Sequence, residues 1–230
     1  MKRETLYRHE LKYLCSNAEL GLLRVRLSGV MKPDMHTNAS GVYHIRSIYF
    51  DDLYNTSYYE NEAGVNCREK WRIRTYNNDA SRIFLECKGK ENGMTQKLSC
   101  QIDSGQFTSL IDGNCLAISE ENPGLLNRFL ILQRNRWLKP KVIVGYTRRP
   151  YICREGNVRV TFDQNIFSST DIERFFDENI RKRPILASGM QLLEVKYDEY
   201  IPDYIYHATQ MTNMQQITFS KYYISRTHSL

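Results

Sequence analysis

The sequence predicts an α+β fold organised around one large antiparallel sheet or barrel. Three observations predict it. About eight segments read as strands, mostly in hairpin order, with helical segments inserted between them. Aromatic residues make up 12% of the chain, with 16 tyrosines, a composition that favours strands. Several strands also carry charged side chains two residues apart. The clearest is Leu192-Leu193-Glu194-Val195-Lys196-Tyr197. Side chains at i and i+2 of a strand share a face, so Glu194 and Lys196 lie together, opposite Leu193, Val195 and Tyr197. At 230 residues a single domain over 1–230 is expected.

The elements follow in order. Residues 6–14 read as a strand. Ser16 then starts a helix, with Glu19 completing a capping box and Leu20, Leu23, Leu27 and Val30 forming its apolar stripe. Residues 31–41 are polar, contain Pro33 and Gly41, and form a loop. Residues 42–50 are a strand, and Asp51-Asp52 starts a short helix ending at Gly64. Strands over 67–76 and 82–88 flank a turn at Asn77-Asn78-Asp79. Gly89 and Gly93 bracket the next turn, before a strand over 94–102. Residues 104–137 read as two helices interrupted near Pro123-Gly124. Strands over 141–151 and 158–163 surround a turn at Glu155-Gly156-Asn157. A charged helix or loop over 171–183 precedes the strand 191–198. A turn at Pro202, a helix over 204–216 and a short segment over 217–224 close the chain.

Composition excludes several classes. Hydrophobic residues make up 41%, enough for a core, and charged residues 25%, ordinary for a soluble protein. No apolar run approaches the roughly 18 residues of a membrane-spanning helix, and Met1-Lys2-Arg3-Glu4 does not open a signal peptide. None of the six cysteines forms a C-x-x-C pair, which argues against zinc. A cytoplasmic protein with free thiols is expected. The five histidines show no metal-ligand spacing; there is no Walker A motif, dinucleotide fingerprint or G-x-S-x-G motif. His9 reads as a packed residue. Cys87, beside Lys88, alternates onto an apolar face and reads as structural.

Sorting strand residues by alternation gives a consistent pattern. Arg8, Glu10 and Lys12 share a face; so do Arg72 and Arg74, Glu86 and Lys88, Arg159 and Asp163, and Glu194 and Lys196. The opposite faces carry Trp71 and Ile73, Leu85 and Cys87, and Val158, Val160 and Phe162. An amphipathic sheet with its ionic face in water would give this pattern strand by strand. The charge, however, is one-sided. Arg8, Lys12, Arg72, Arg74, Lys88, Lys97, Arg148, Arg159, Lys196 and Lys221 are set against Glu10, Glu86 and Glu194, an excess larger than the chain's whole net charge of +6. Cations gathered in this way repel unless something anionic lies among them. In a closed barrel they would line the lumen, where arginine forks and lysine ammonium groups suit a polyanion. The few carboxylates could then hold a divalent metal that bridges phosphate oxygens. Nucleic acid is the competing polyanion, but its sites combine cations with exposed aromatic platforms. Here the aromatics fall mostly on apolar faces, so no nucleic-acid partner is expected.

These residues also resemble a family, the vacuolar transporter chaperone (VTC) polyphosphate polymerases of the triphosphate tunnel metalloenzyme (CYTH-like) superfamily. The resemblance covers nearly the whole chain. It rests on Arg8-His9-Glu10-Leu11-Lys12-Tyr13, Ser47-Ile48-Tyr49-Phe50-Asp51, Arg72-Ile73-Arg74, Ile83-Phe84-Leu85-Glu86-Cys87-Lys88, Tyr146-Thr147-Arg148, Val158-Arg159-Val160-Thr161-Phe162-Asp163, Leu193-Glu194-Val195-Lys196 and Phe219-Ser220-Lys221-Tyr222. It implies an eight-stranded antiparallel β-barrel, the triphosphate tunnel, with flanking helices. It implies ATP and inorganic polyphosphate as substrates, with the γ-phosphoryl group passed to the growing chain and ADP released. Lys12, Arg72, Arg74, Lys88, Lys97, Arg148, Arg159, Lys196 and Lys221 match the phosphate-binding lining. Lys12, Arg72, Arg74, Lys196 and Lys221 are the expected catalytic set. Glu194 matches the metal-binding glutamate, which takes Mn²⁺ or Mg²⁺, with Glu10 and Glu86 as further metal contacts or as anchors for neighbouring cations. Arg8 stands where the hydrolytic branch has the first glutamate of its E-x-E-x-K motif, which favours the polymerase branch over the triphosphatases and adenylyl cyclases. The eukaryotic relatives' SPX domain and membrane segment are not among the matching segments, so a separate membrane protein is the candidate partner for product export.

Overall fold

The computed structural model describes residues 7–114, 116–211 and 214–227. Cys115, His228, the segment before Tyr7 and residues 212–213 of the expected 204–216 helix lie outside the described residues. The strands are β1 (His9–Ser16), β2 (Lys32–Pro33), β3 (Tyr43–Asp51), β4 (Arg68–Tyr76), β5 (Ile83–Glu91), β6 (Met94–Ile102), β7 (Lys139–Cys153), β8 (Val158–Ser169), β9 (Arg183–Pro184) and β10 (Met190–Tyr197). The helices are α1 (Asn17–Val30), α2 (Thr56–Glu62), α3 (Ser104–Asp112), α4 (Gly124–Arg136), α5 (Asp203–Thr209) and α6 (Lys221–Thr227).

Eight strands form one antiparallel sheet in the order β1-β10-β8-β7-β3-β4-β5-β6, with β2 added to β7 and β9 to β8. The sheet curls until its two edges meet. Arg8 and Thr95 exchange both backbone hydrogen bonds, each 3.0 Å, which joins the start of β1 to β6. Farther along β1 the edge is covered by the C-terminal segment, where the Ile217 amide donates to the Lys12 carbonyl. The backbone groups that an open sheet would leave free are thus met at these points.

The helices cover the outside. Ser16 caps α1 and Glu19 returns the capping-box bond. Leu20, Leu23 and Leu27 of α1 pack with Ile205 of α5 on Val158, Val160, Phe162, Leu193 and Val195. Val30, expected in that stripe, is 39% exposed because α1 ends there and Met31 turns in instead. Helices α3 and α4 pack Leu110, Leu126, Phe129 and Leu130 on Ile48, Phe50, Trp71, Ile73, Leu85 and Cys87. A third apolar cluster lies on the opposite faces of the strands, inside the curl: Tyr43, Ile45, Tyr49, Val142, Val144, Tyr146 and Leu192 meet Phe219 and Tyr222. The inner face is therefore ionic over only part of its length. Its other end is apolar and stoppered by α6 and the residues before it.

The segment after β3 is held by two buried aspartates. Asp51 accepts from the amides of Asp52, Ser57 and Tyr58 and from the Tyr222 hydroxyl, while Asp52 accepts from the amides of Tyr54 and Thr56. They fix the start of α2, which begins at Thr56 rather than at the aspartates. Three further expectations are corrected. Gly89 belongs to β5, and the turn is Asn92-Gly93, both at positive φ. β8 runs on to Ser169 past an irregularity against β7, where Asn165 takes φ 53°. Helix α5 stops at Thr209.

At that irregularity, Gly145 leaves room for the Phe167 ring: an added Cβ would lie 2.2 Å from its Cζ. Gly145→Ala is expected to destabilise the fold by about 1–3 kcal/mol through overpacking. Gly29→Ala, in α1 with nothing within 4 Å of the new methyl, is expected to be neutral or stabilising by up to ~1 kcal/mol. Urea denaturation of the two variants measures both.

Candidate active site

The inner face gathers the charged residues picked out by alternation, and it grades from shielded to open. Side-chain exposure is 6% at Arg74, 9% at Lys221 and 10% at Arg148, but 33% at Arg159 and 50% at Lys97. Position follows from register. Lys12 pairs with Glu194 and Glu10 with Lys196 across β1–β10, Lys196 with Arg159 across β10–β8, Arg148 with Asp163 across β7–β8, and Arg72 with Glu86 across β4–β5. Lys221 comes from the first turn of α6, not from a strand. Because α6 stoppers the apolar end, its ammonium group is brought to Asp163, 2.6 Å away, and within 4.0 Å of Glu194.

Each deep cation is held by a rigid partner. Arg72 donates to Glu86 Oε2 at 2.8 Å and to the Tyr49 hydroxyl at 3.0 Å. Arg74 donates to Ser47 Oγ at 3.0 Å and to the Tyr146 hydroxyl at 3.3 Å. Arg148 forms a two-pronged pair with Asp163, at 2.6 and 2.8 Å, and lies over the Tyr146 ring beside Lys221. Lys88 reaches Glu10 Oε2 at 2.6 Å, Lys97 reaches Glu86 Oε1 at 3.0 Å, and Lys12 donates to the Phe219 carbonyl at 2.8 Å. Arg159, at the open end, bonds the Tyr43 hydroxyl and Asp34. Arg8 does not join this array: it pairs with Asp198 beside the β7–β8 turn.

The carboxylates stay ionised. Burial alone would raise Glu194, but Lys196, Lys221, Arg148 and Lys12 hold it well below the usual carboxylate range. Burial is likewise outweighed at Glu86 by Arg72, Arg74 and Lys97, at Asp163 by Arg148 and Lys221, and at Glu10 by Lys88, Lys12 and Lys196, despite Glu194 nearby. Burial pushes the Cys87 thiol up to about 12, which suits the structural role expected of it.

Sequence reasoning missed three kinds of residue here. Asp163 was placed on the inner face with Arg159, yet it is the carboxylate that joins Arg148 to Lys221. Tyr43, Tyr49 and Tyr146 read as strand formers, but they alternate inward and place hydroxyls on Arg159, Arg72 and Arg74. Lys70 lies two residues before Arg72, so the same alternation marks it. It continues the inner face toward α6, bonded to Asn61 and Ser220.

The VTC domain model matches residues 7–229. The chain belongs to the VTC domain family. No curated protein is significantly similar to this VTC domain. Among solved structures, a putative adenylyl cyclase from Hippeastrum, described as having a dominant triphosphatase activity, superposes with a TM-score of 0.56 at 14% identity, over 98% of this chain and 97% of its own. The Mimivirus capping enzyme triphosphatase matches at a TM-score of 0.40 and 10% identity, over 90% and 87%. The first likeness shows the shared triphosphate tunnel (CYTH-like) fold.

Among the described residues of the VTC domain, no three His, Cys, Asp or Glu side chains group as a metal site. Two carboxylates nonetheless offer oxygens to a hard divalent cation. Glu10 Oε1 is buried and accepts no hydrogen bond, with Lys12 Nζ 3.2 Å away. Glu194 has Lys196 Nζ 2.9 Å from Oε1 and Lys221 Nζ 4.0 Å from Oε2. Glu86 has both oxygens bonded to Arg72 and Lys97. No helix among the described residues is long and apolar enough to cross a membrane, which says nothing of a barrel.

Two outcomes follow. Glu86→Gln is expected to cost about 3 kcal/mol or more in urea denaturation, since it leaves buried Arg72 and Arg74 short of their counter-charge. Lys70 is the second. Burial, then Lys88, Arg68, Lys12 and Lys90, pull it down to about 6 from 10.5. The folded state thus binds fewer protons than the unfolded chain between those values, so Lys70 weakens the fold at low pH and less so as pH rises. Thermal melts are expected to show Lys70→Gln more stable than the parent at pH 6, with the gap closing toward pH 10.

Proposed function

We propose that this VTC domain is an ATP-dependent polyphosphate polymerase. It transfers the γ-phosphoryl group of ATP to the end of an inorganic polyphosphate chain and releases ADP. Family membership and the cation-lined, one-sided lumen support a triphosphate substrate. The observation that carries this reading is the enclosed array of cations on one inner face, Lys12, Arg72, Arg74, Lys88, Arg148, Lys196 and Lys221, which outnumber the carboxylates Glu10, Glu86, Asp163 and Glu194 set among them. The terminal phosphate of a polyphosphate chain is an oxyanion that such cations bring to the γ-phosphorus with no proton to remove, whereas transfer to water also has a proton to place.

Phosphoryl transfer needs positioning and charge stabilisation more than covalent chemistry from the protein. In this reading Arg72, Arg74, Lys12 and Lys196 grip the triphosphate. Arg148, Arg159, Lys88 and Lys221 bring the acceptor oxygen into line with the γ-phosphorus, and Lys97 attracts phosphates at the open end. A terminal oxygen of the chain bonds to the γ-phosphorus as the bond to the β-bridging oxygen breaks, and ADP leaves with that electron pair. The arginines, held by Tyr49, Tyr146 and Ser47, meet the charge spread over the transferring oxygens without reorganising. Glu194 and Glu10 would hold a divalent ion, Mn²⁺ or Mg²⁺, which would neutralise phosphate charge. We assign Glu86 to holding Arg72, Arg74 and Lys97. A separate membrane protein is the partner proposed for product export, and the reaction is placed in the cytoplasm.

The Hippeastrum protein's triphosphatase activity favours a second reading, a metal-dependent triphosphatase. Pure protein with ATP and Mn²⁺ separates the two by ADP, free phosphate and chain growth on a gel. ADP with lengthening polymer is expected; free phosphate without polymer would establish the triphosphatase instead. Arg74→Ala and Lys196→Ala are expected to lower turnover at least a hundredfold, the scale of losing one preorganised charge-stabilising donor. Unchanged turnover would remove the lumen from the mechanism.

A further inference from the structure

The β4–β5 hairpin places like charges directly opposite one another on its inner face. Going away from Arg74, the rung at Arg72 faces Glu86, but the next two rungs set Lys70 against Lys88 and Arg68 against Lys90. Like charges opposite each other on neighbouring strands destabilise a sheet. Within the lumen, such crowding is met by carboxylates; along these rungs it is met only in part. Lys88 has Glu10. Lys70 is bonded by the uncharged Asn61 and Ser220 and lies 6.0 Å from the Tyr222 ring centre. Arg68 donates to the Val65 carbonyl, with Glu60 the carboxylate acting on it. Lys90 makes no hydrogen bond or ion pair among the described residues, and the carboxylate acting on it is Glu10, in the lumen. All four side chains are half-buried and so reachable from solvent.

We propose that Arg68, Lys70 and Lys90 form a further anion subsite, continuous with Lys12 and Lys88, that carries the distal part of a long polyphosphate chain out of the barrel along the β4–β5 hairpin. The inference rests on the lumen holding a polyphosphate, and it adds the route by which a long chain leaves. Rungs two residues apart stand roughly 7 Å from each other. One phosphate cannot meet successive rungs, while a string of linked phosphates spans them. Burial first, and then Lys88, Arg68, Lys12 and Lys90 beside it, lower the affinity of Lys70 for its own proton, and an anion lying along these rungs would restore it.

The test compares tripolyphosphate with long-chain polyphosphate, each titrated calorimetrically at fixed ionic strength. The triple variant Arg68→Gln, Lys70→Gln, Lys90→Gln is expected to keep the parent's tripolyphosphate affinity and to lose at least tenfold in long-chain affinity. Lys90→Gln alone, a change at a partly exposed side chain, repeats the measurement should the triple variant melt below the parent. Long-chain affinity unchanged, or both affinities lowered alike, would overturn the route while leaving the lumen reading in place. A parent protein that binds neither ligand would overturn both.

Discussion

The constraint that the rest of this structure depends on is like charge enclosed by a closed sheet. Curling β1 round to β6 turns the inner face of every main strand toward the others, and with it Lys12, Arg72, Arg74, Lys88, Arg148 and Lys196. Repulsion among them grows as water is excluded. The barrel answers with carboxylates placed by register. Glu86 stands between Arg72, Arg74 and Lys97, Asp163 between Arg148 and Lys221, Glu10 between Lys88 and Lys12, and Glu194 beside Lys196. These carboxylates are fewer than the cations they serve. What they leave uncompensated is positive charge enclosed in the lumen.

The C-terminal segment completes the arrangement in three ways. It covers the exposed edge of β1, fills the apolar end of the lumen with Phe219 and Tyr222, and delivers Lys221 to the charged end. Tyr222 is anchored in turn by Asp51, which also holds the start of α2. The barrel is thus stoppered from within by the same element that supplies one of its buried cations. The link between packing and function is direct here, since a shift of α6 would move Lys221 away from Asp163 and Glu194.

Much of this was legible in the sequence, because strand alternation is a local rule. Glu194 with Lys196, and Arg72 with Arg74, could be set on one face without knowing any neighbour, and the one-sided charge then argued for an enclosed surface. What alternation could not show was closure. The contact of Lys88 with Glu10 joins residues 78 apart in sequence, and the pairing of Arg8 with Thr95 makes it possible. Lys221 was grouped with strand residues although it sits on α6, because its position depends on a helix filling the lumen rather than on any strand period. The apolar half of the lumen was hidden for a related reason. Ile45, Val142, Val144 and Leu192 look like ordinary core residues whichever way their strand faces. Lys70 was visible by the rule already in use, two residues before Arg72, and only its company of uncharged partners required the structure.

The central claim is that the lumen carries uncompensated positive charge that a chain of phosphates neutralises. The most direct test is the thermal unfolding midpoint of the protein, without divalent metal, as tripolyphosphate is added at constant ionic strength. A ligand bound only by the folded state stabilises it by about 2.7 kcal/mol at a hundredfold excess over its dissociation constant. The account predicts a saturable rise in the midpoint with tripolyphosphate and little or none with matched chloride. A midpoint that responds to the two salts alike would contradict it.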